Sequence, residues 1–108
     1  MTAAVRHLQQ LDALINRVVR EADLIRDYVQ LRFHGGFVLR LNNAVELDGR
    51  VLSNSAAGRI ALAAIVGRAV NDVARAADEI VVNFRGGSAL TMSLQPLAWH
   101  SPEALTLK

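Results

Sequence analysis

Cysteine is absent from this chain, and proline, aromatics and lysine are scarce: two Pro, five aromatic residues and one Lys in 108 positions. Each shortage removes a class of protein. Without thiols there is no disulfide framework, no thiolate nucleophile and no thiolate metal site. With so few rings, a core must rest on Val, Leu, Ile and Ala. The longest apolar run, Ile60 to Val66, is far too short to span a bilayer. Gln9, Gln10 and Asp12 stand where a signal peptide would need an apolar run, so a cytoplasmic protein with no membrane association is expected.

What the chain does have is apolar residues, at 52% of the total, enough to argue against disorder and for one domain of ordinary size. The calculated pI of 9.9 overstates its basic character. Twelve Lys plus Arg face ten Asp plus Glu, for a formal charge of +2, and eleven of the bases are Arg, which keeps its proton at any relevant pH. A nucleic-acid binder concentrates its bases in a patch or stripe. Here Arg6, Arg17, Arg20, Arg26, Arg32, Arg40, Arg50, Arg59, Arg68, Arg75 and Arg85 are spread evenly, most with an acid nearby. That distribution predicts a solvated mixed-charge surface, with nucleic acid an unfavoured partner.

The chain also repeats itself. Residues 4–43 and 55–94 align without a gap at an offset of fifty-one, with identities at Leu11/Leu62, Ala13/Ala64, Arg17/Arg68, Val19/Val70, Asp27/Asp78, Phe33/Phe84, Gly35/Gly86, Gly36/Gly87 and Leu39/Leu90. Two copies in so short a chain predict one pseudo-symmetric domain over 1–108, with a connection at 44–54 and a C-terminal tail at 95–108.

Each copy opens with helical spacing: Val5, Leu8, Leu11 and Ile15 in the first, and Ile60, Ala63, Ala64 and Ile65 after a Ser53 or Ser55 cap in the second. Alternation then predicts strands. Val29, Leu31 and Phe33 alternate with Tyr28, Gln30 and Arg32, while Ile80, Val82 and Phe84 begin the equivalent run. If apolar residues share a face, Leu31 opposes Leu39 and Val29 opposes Leu41, leaving His34-Gly35-Gly36 as the loop. The second copy gives Arg85-Gly86-Gly87, with Val82 opposite Leu90. The stretch before each hairpin is ambiguous. Apolar residues at 8, 11, 15, 18, 22, 25 and 29 keep heptad spacing and allow one long helix to Asp27. Asn16 and Gly67, at one repeat position, favour a helix end there, because Asn and Gly best tolerate the left-handed conformation. The preferred reading is helix–strand–strand–strand in each copy: an α+β domain, an internally duplicated α-β-β-β unit whose antiparallel sheet carries two helices packed on one side. Asp48-Gly49 marks a turn in the connection, and Ser101-Pro102 can open a short helical turn in the tail.

The runs Gly67-Arg68-Ala69-Val70-Asn71-Asp72-Val73 and Asp78-Glu79-Ile80-Val81-Val82-Asn83-Phe84-Arg85-Gly86-Gly87 resemble small uncharacterised bacterial proteins built from L-x-F-x-x-G-x-x-L hairpin units. The ending Trp99-His100-Ser101-Pro102-Glu103-Ala104 is similar to the close of several of them. Some proteins of this build act as immunity partners in toxin systems. The resemblance therefore implies a binding role and supplies no catalytic residue.

No catalytic constellation emerges from the residues themselves. His7, His34 and His100 lack metal-ligand spacing, and Ser53, Ser55, Ser88, Ser93 and Ser101 lie in no nucleophile elbow. The paired glycines do not open helices, as phosphate loops do. Asp78 and Glu79 point to opposite faces of a strand. No cofactor or metal is expected, and an enzyme is the least supported class. The outer face of the first hairpin is more suggestive: Tyr28, Arg32 and Arg40 beside Gln30 form an Arg and Tyr patch of interaction-surface composition. In that reading Arg32 meets Val38 only diagonally. The second hairpin presents a blander row of Val81, Asn83, Ala89, Thr91 and Ser93, suited to a helix or a second copy. The expected function is a non-enzymatic bacterial protein-binding module of immunity or accessory type, with an unknown protein partner and a homodimer through sheet edges or the second hairpin. The alternative is an anion or nucleic-acid binder using Arg32, Arg40 and Arg85. Arg40 against Thr91, Tyr28 against Glu79, Phe37 against Ser88, and the Trp99 tail are where the copies differ and where function is expected to reside.

Overall fold

The hairpins form in the register that the alternation dictates. In the computed structural model, which describes residues 10–26, 28–42, 44–53, 55–76, 78–93 and 105–107, the first copy runs through β1 (Val19–Ile25), β2 (Tyr28–Phe33) and β3 (Val38–Leu41). Leu31 lies opposite Leu39 and Val29 opposite Leu41, and the loop closes with Phe33 N–H donating to the Phe37 carbonyl at 2.9 Å. The connection supplies β4 (Val45–Leu47) and β5 (Arg50–Val51), joined by the Asp48-Gly49 turn, both of whose residues have positive φ. After helix α1 (Ala56–Ala63), the second copy runs through β6 (Val70–Arg75), β7 (Glu79–Phe84) and β8 (Ala89–Ser93), with Val82 opposite Leu90. Leu105–Leu107 forms β9 against β3.

The strand reading of the ambiguous stretch is correct and the long helix is not. Asn16 and Gly67 both adopt positive φ, 72° and 88°, and β1 and β6 follow them. Both strands carry a bulge at the same repeat position, between Val19 and Glu21 and between Val70 and Asp72. The extra residue moves Glu21, Asp23 and Ile25 to one face and Ala22 and Leu24 to the other.

The architecture itself departs from expectation. There are two antiparallel sheets, ordered β1-β2-β3-β9 and β5-β4-β8-β7-β6, not one sheet with two helices packed on one side. Among the described residues α1 is the only α-helix with both ends in view; Gln10 is also α-helical. The described part of the first helical segment is a 3-10 turn, Leu11–Leu14, and Val5 and Leu8 lie outside the described residues. The two segments do not share a side either, since α1 packs against β1 and the 3-10 turn against β6. Among the described residues, what recurs at the fifty-one-residue offset is a three-stranded meander with its turns, rather than an α-β-β-β unit.

The physical reason is the amount of apolar side chain available. Each meander is apolar on one face, and α1 reads Ala-Ala-Gly-Arg-Ile-Ala-Leu-Ala, too small to cover a sheet. The inner faces of both sheets instead supply one core. It joins Val29, Leu31, Phe33, Leu39 and Leu41 to Ile80, Val82, Phe84, Leu90 and Met92. The buried face differs in part from the expected one: Ile65, just past the end of α1, is fully buried as expected, but so is Leu62, whereas Ile60 is 74% exposed.

The copies lock together through a crossed pair of segments. Asn16 N–H donates to the Val70 carbonyl and Gly67 N–H to the Val19 carbonyl, both at 2.8 Å. Val19 N–H donates to Arg68 and Val70 N–H to Arg17, at 3.0 and 2.9 Å. Shifting each bond by fifty-one positions generates its mate, so the crossing has a local pseudo-twofold axis at the Val18–Ala69 bridge.

Candidate interaction faces

The outer face of the first sheet is ordered by strand register. Its rows are Ile25 with Tyr28, then Asp23 with Gln30 and Arg40, then Glu21 with Arg32 and Val38. Arg32 sits directly opposite Val38, not on a diagonal from it, because pairing Leu31 with Leu39 forces the next residues outward into one row. Of the four residues expected at an interaction surface, Tyr28, Arg32 and Arg40 share this face. Trp99 lies outside the described residues, as do His7, His100 and the Ser101-Pro102 turn.

Arg40 is held rather than free. Its guanidinium carbon lies 4.8 Å from the centroid of the Tyr28 ring, a contact worth about 0.5–1 kcal/mol at an exposed site. Its Nη2 donates to Gln30 Oε1 at 3.0 Å. Gln30, polar and on the outward row, is only 6% exposed; the bond to Arg40 satisfies its carbonyl. Burial of that glutamine was not legible in the alternation, which marks position 30 simply as polar. Arg32 is looser, with its Nε 3.8 Å from Glu21 Oε2 and 44% of its side chain exposed; such a pair contributes little to stability. Thr91 and Glu79 occupy the positions equivalent to Arg40 and Tyr28, so this clamp exists only in the first copy.

The second sheet presents a different outer face. Val81, Asn83, Ala89, Thr91 and Ser93 are half-buried. A shallow depression of about 170 Å³ there is lined by Glu46, Asp78, Glu79 and Thr91 among others. These carboxylates, with Asp72 on the neighbouring row, surround the uncharged strip. Two copies meeting face to face would bring like charges together, which disfavours self-pairing on this surface. Among the described residues no three His, Asp or Glu side chains are grouped as metal ligands.

A third region surrounds the crossing. Arg17 lies over the Phe37 ring at 5.0 Å. Arg68 Nε donates to the Ala64 carbonyl at 3.2 Å and its Nη1 to the Arg85 carbonyl at 3.1 Å. Arg85 Nη2 donates to Asn16 Oδ1 at 2.6 Å. Each repeat arginine arches over the first glycine of its own loop: a Cβ on Gly86 would collide with the Arg68 guanidinium, and one on Gly35 would lie 2.9 Å from Arg17 Nη1. That explains why Arg17/Arg68 and Gly35/Gly86 recur together. Next to this end, an open depression of about 470 Å³ is lined by Asn71, Asp72, Asn83, Arg85 and Ser88 among others. Asp72 accepts from Asn71 and Asn83 there, at 3.3 and 3.2 Å.

No helix among the described residues is long and apolar enough to cross a membrane. No family model, curated protein or solved structure matches the chain.

Proposed function

We propose that the protein is a non-enzymatic protein-binding module of immunity or accessory type acting in the bacterial cytoplasm, and that its contact surface is the outer face of the first sheet. The observation that carries this reading is the Tyr28–Arg40–Gln30 clamp. A partner meeting this face finds an arginine and a tyrosine already arranged, so less side-chain entropy is lost on binding. Tyr and Arg are the residues enriched where binding energy concentrates. The clamp also sits where the two copies differ, so it is not required by the shared scaffold. The resemblance of the hairpin units to immunity-type proteins points the same way.

The test is affinity purification of the tagged full chain from its host, beside a Tyr28→Ala/Arg40→Ala double variant and an Ile60→Ser control on α1. The expected result is one stoichiometric protein partner, retained by the control and lost by the double variant. Absence of a recurring partner, or its full retention by the double variant, refutes the proposal.

A further inference from the structure

Arg17 in the first copy and Arg68 and Arg85 in the second are brought together beside the crossing, at the loop end of the two hairpins. Arg68 bonds the Arg85 carbonyl, Arg85 reaches Asn16, and Arg17 follows Asn16 directly. None of the three forms an ion pair with a described carboxylate, in contrast to Arg32 with Glu21 and Arg75 with Asp12. Neutral groups hold them instead: a phenyl ring, two backbone carbonyls and an amide oxygen. Their charges are thus oriented and unpaired, although Asp72, held by Asn71 and Asn83, lines the same depression as Arg85. Beside them, the exposed amides of Gly35 and Gly86 donate to no described acceptor. This end of the chain is a preorganised cationic surface that the even spacing of arginines in the sequence conceals.

We propose that this end binds the sugar–phosphate backbones of a nucleic-acid duplex without reading base sequence. Guanidinium groups present a planar donor fork suited to phosphate oxygens. The pseudo-twofold axis between Val18 and Ala69 relates Arg17 to Arg68 and one loop to the other. The antiparallel backbones of a duplex are related by twofold axes of the same kind, whereas an acidic peptide has no such symmetry. Unpaired bases would need open rings to stack on. At this end Phe33 and Phe84 are buried and Phe37 lies beneath Arg17, so His34 is the one exposed ring among the described residues there, and a single small ring favours duplex over single strand. The surface is separate from the Tyr28–Arg40 clamp, and the proposal stands without it.

The experiment is fluorescence anisotropy of a labelled mixed-sequence duplex with the full chain, repeated over a salt series. Three phosphate contacts predict a slope of log K against log[salt] of about −2.7. Arg17→Gln and Arg85→Gln should each flatten it by about 0.9, with circular dichroism confirming that both variants fold. Arg40→Gln should leave the slope unchanged. The proposal is overturned by absence of salt-sensitive binding, by an unchanged slope in both Arg17→Gln and Arg85→Gln, or by loss of slope in Arg40→Gln instead. Binding of single strands or poly-glutamate as tight as that of the duplex overturns it as well.

Discussion

Replacing glycine with alanine inside an exposed helix normally adds about 1 kcal/mol of stability; at Gly58 the sign should reverse. Gly58 is buried in the first turn of α1, and a Cβ there would run into the carbonyl oxygen of Ser53, with Leu24 Cδ2 at 3.4 Å on another side. The obstacle is backbone, so it cannot swing away as a side chain would. Ser53 is also tied to the start of the helix: Ser55 N–H donates to the Ser53 carbonyl at 2.8 Å, and Ser55 Oγ accepts from Gly58 N–H at 3.1 Å. Making room therefore opens the cap, which costs about 1 kcal/mol, or pushes α1 away from β1, an overpacking strain of about 1–3 kcal/mol. Set against the propensity gain of about 1 kcal/mol, the overpacking route leaves Gly58→Ala a net loss of up to about 2 kcal/mol. Urea denaturation followed by far-UV circular dichroism measures this, and in a thermal scan each kcal/mol lowers Tm by about 4–8 °C. Ala57→Gly, at the exposed neighbouring position, should lose about 1 kcal/mol through propensity alone. A Gly58→Ala protein as stable as the parent, or more so, would refute the argument.

Two smaller predictions use the same assay. Ser55→Ala removes the cap acceptor for Gly58 N–H and should destabilise by about 1 kcal/mol. Leu62→Ala, at a fully buried site, should lose about 2–5 kcal/mol, while Ile60→Ser two residues earlier should stay within about 0.5 kcal/mol of the parent. Equal losses at 60 and 62 would show that α1 buries the face expected from spacing rather than the observed one.

The helical segments were the least legible part of the chain. Ile60, Ala63, Ala64 and Ile65 look like a buried face because alanine fits either side of a helix, and the choice fell to Gly58, whose missing side chain lets α1 approach Leu24 and Ser53. The Tyr28, Arg32 and Arg40 grouping, by contrast, was readable, since strand alternation places all three on one face once the hairpin register is known. The clamp on Gln30 was not, because it depends on side chains lying across the strands.

By itself the amino-acid order determined the local geometry. Apolar alternation set the hairpin register twice, and residues tolerant of positive φ stand at Asn16, at Gly67 and at the Asp48-Gly49 turn. These are short-range consequences of sterics and pleat, with few competing solutions. Tertiary structure decided the rest. Whether two apolar sheet faces are covered by helices or by each other depends on total volume and on where the chain crosses, which no local pattern records. The same crossing turned evenly scattered arginines into a cluster: Arg68 and Arg85 meet within the second copy, and Arg17 joins them only when the copies interlock, because charge proximity is a property of the fold in space and not of spacing along the chain.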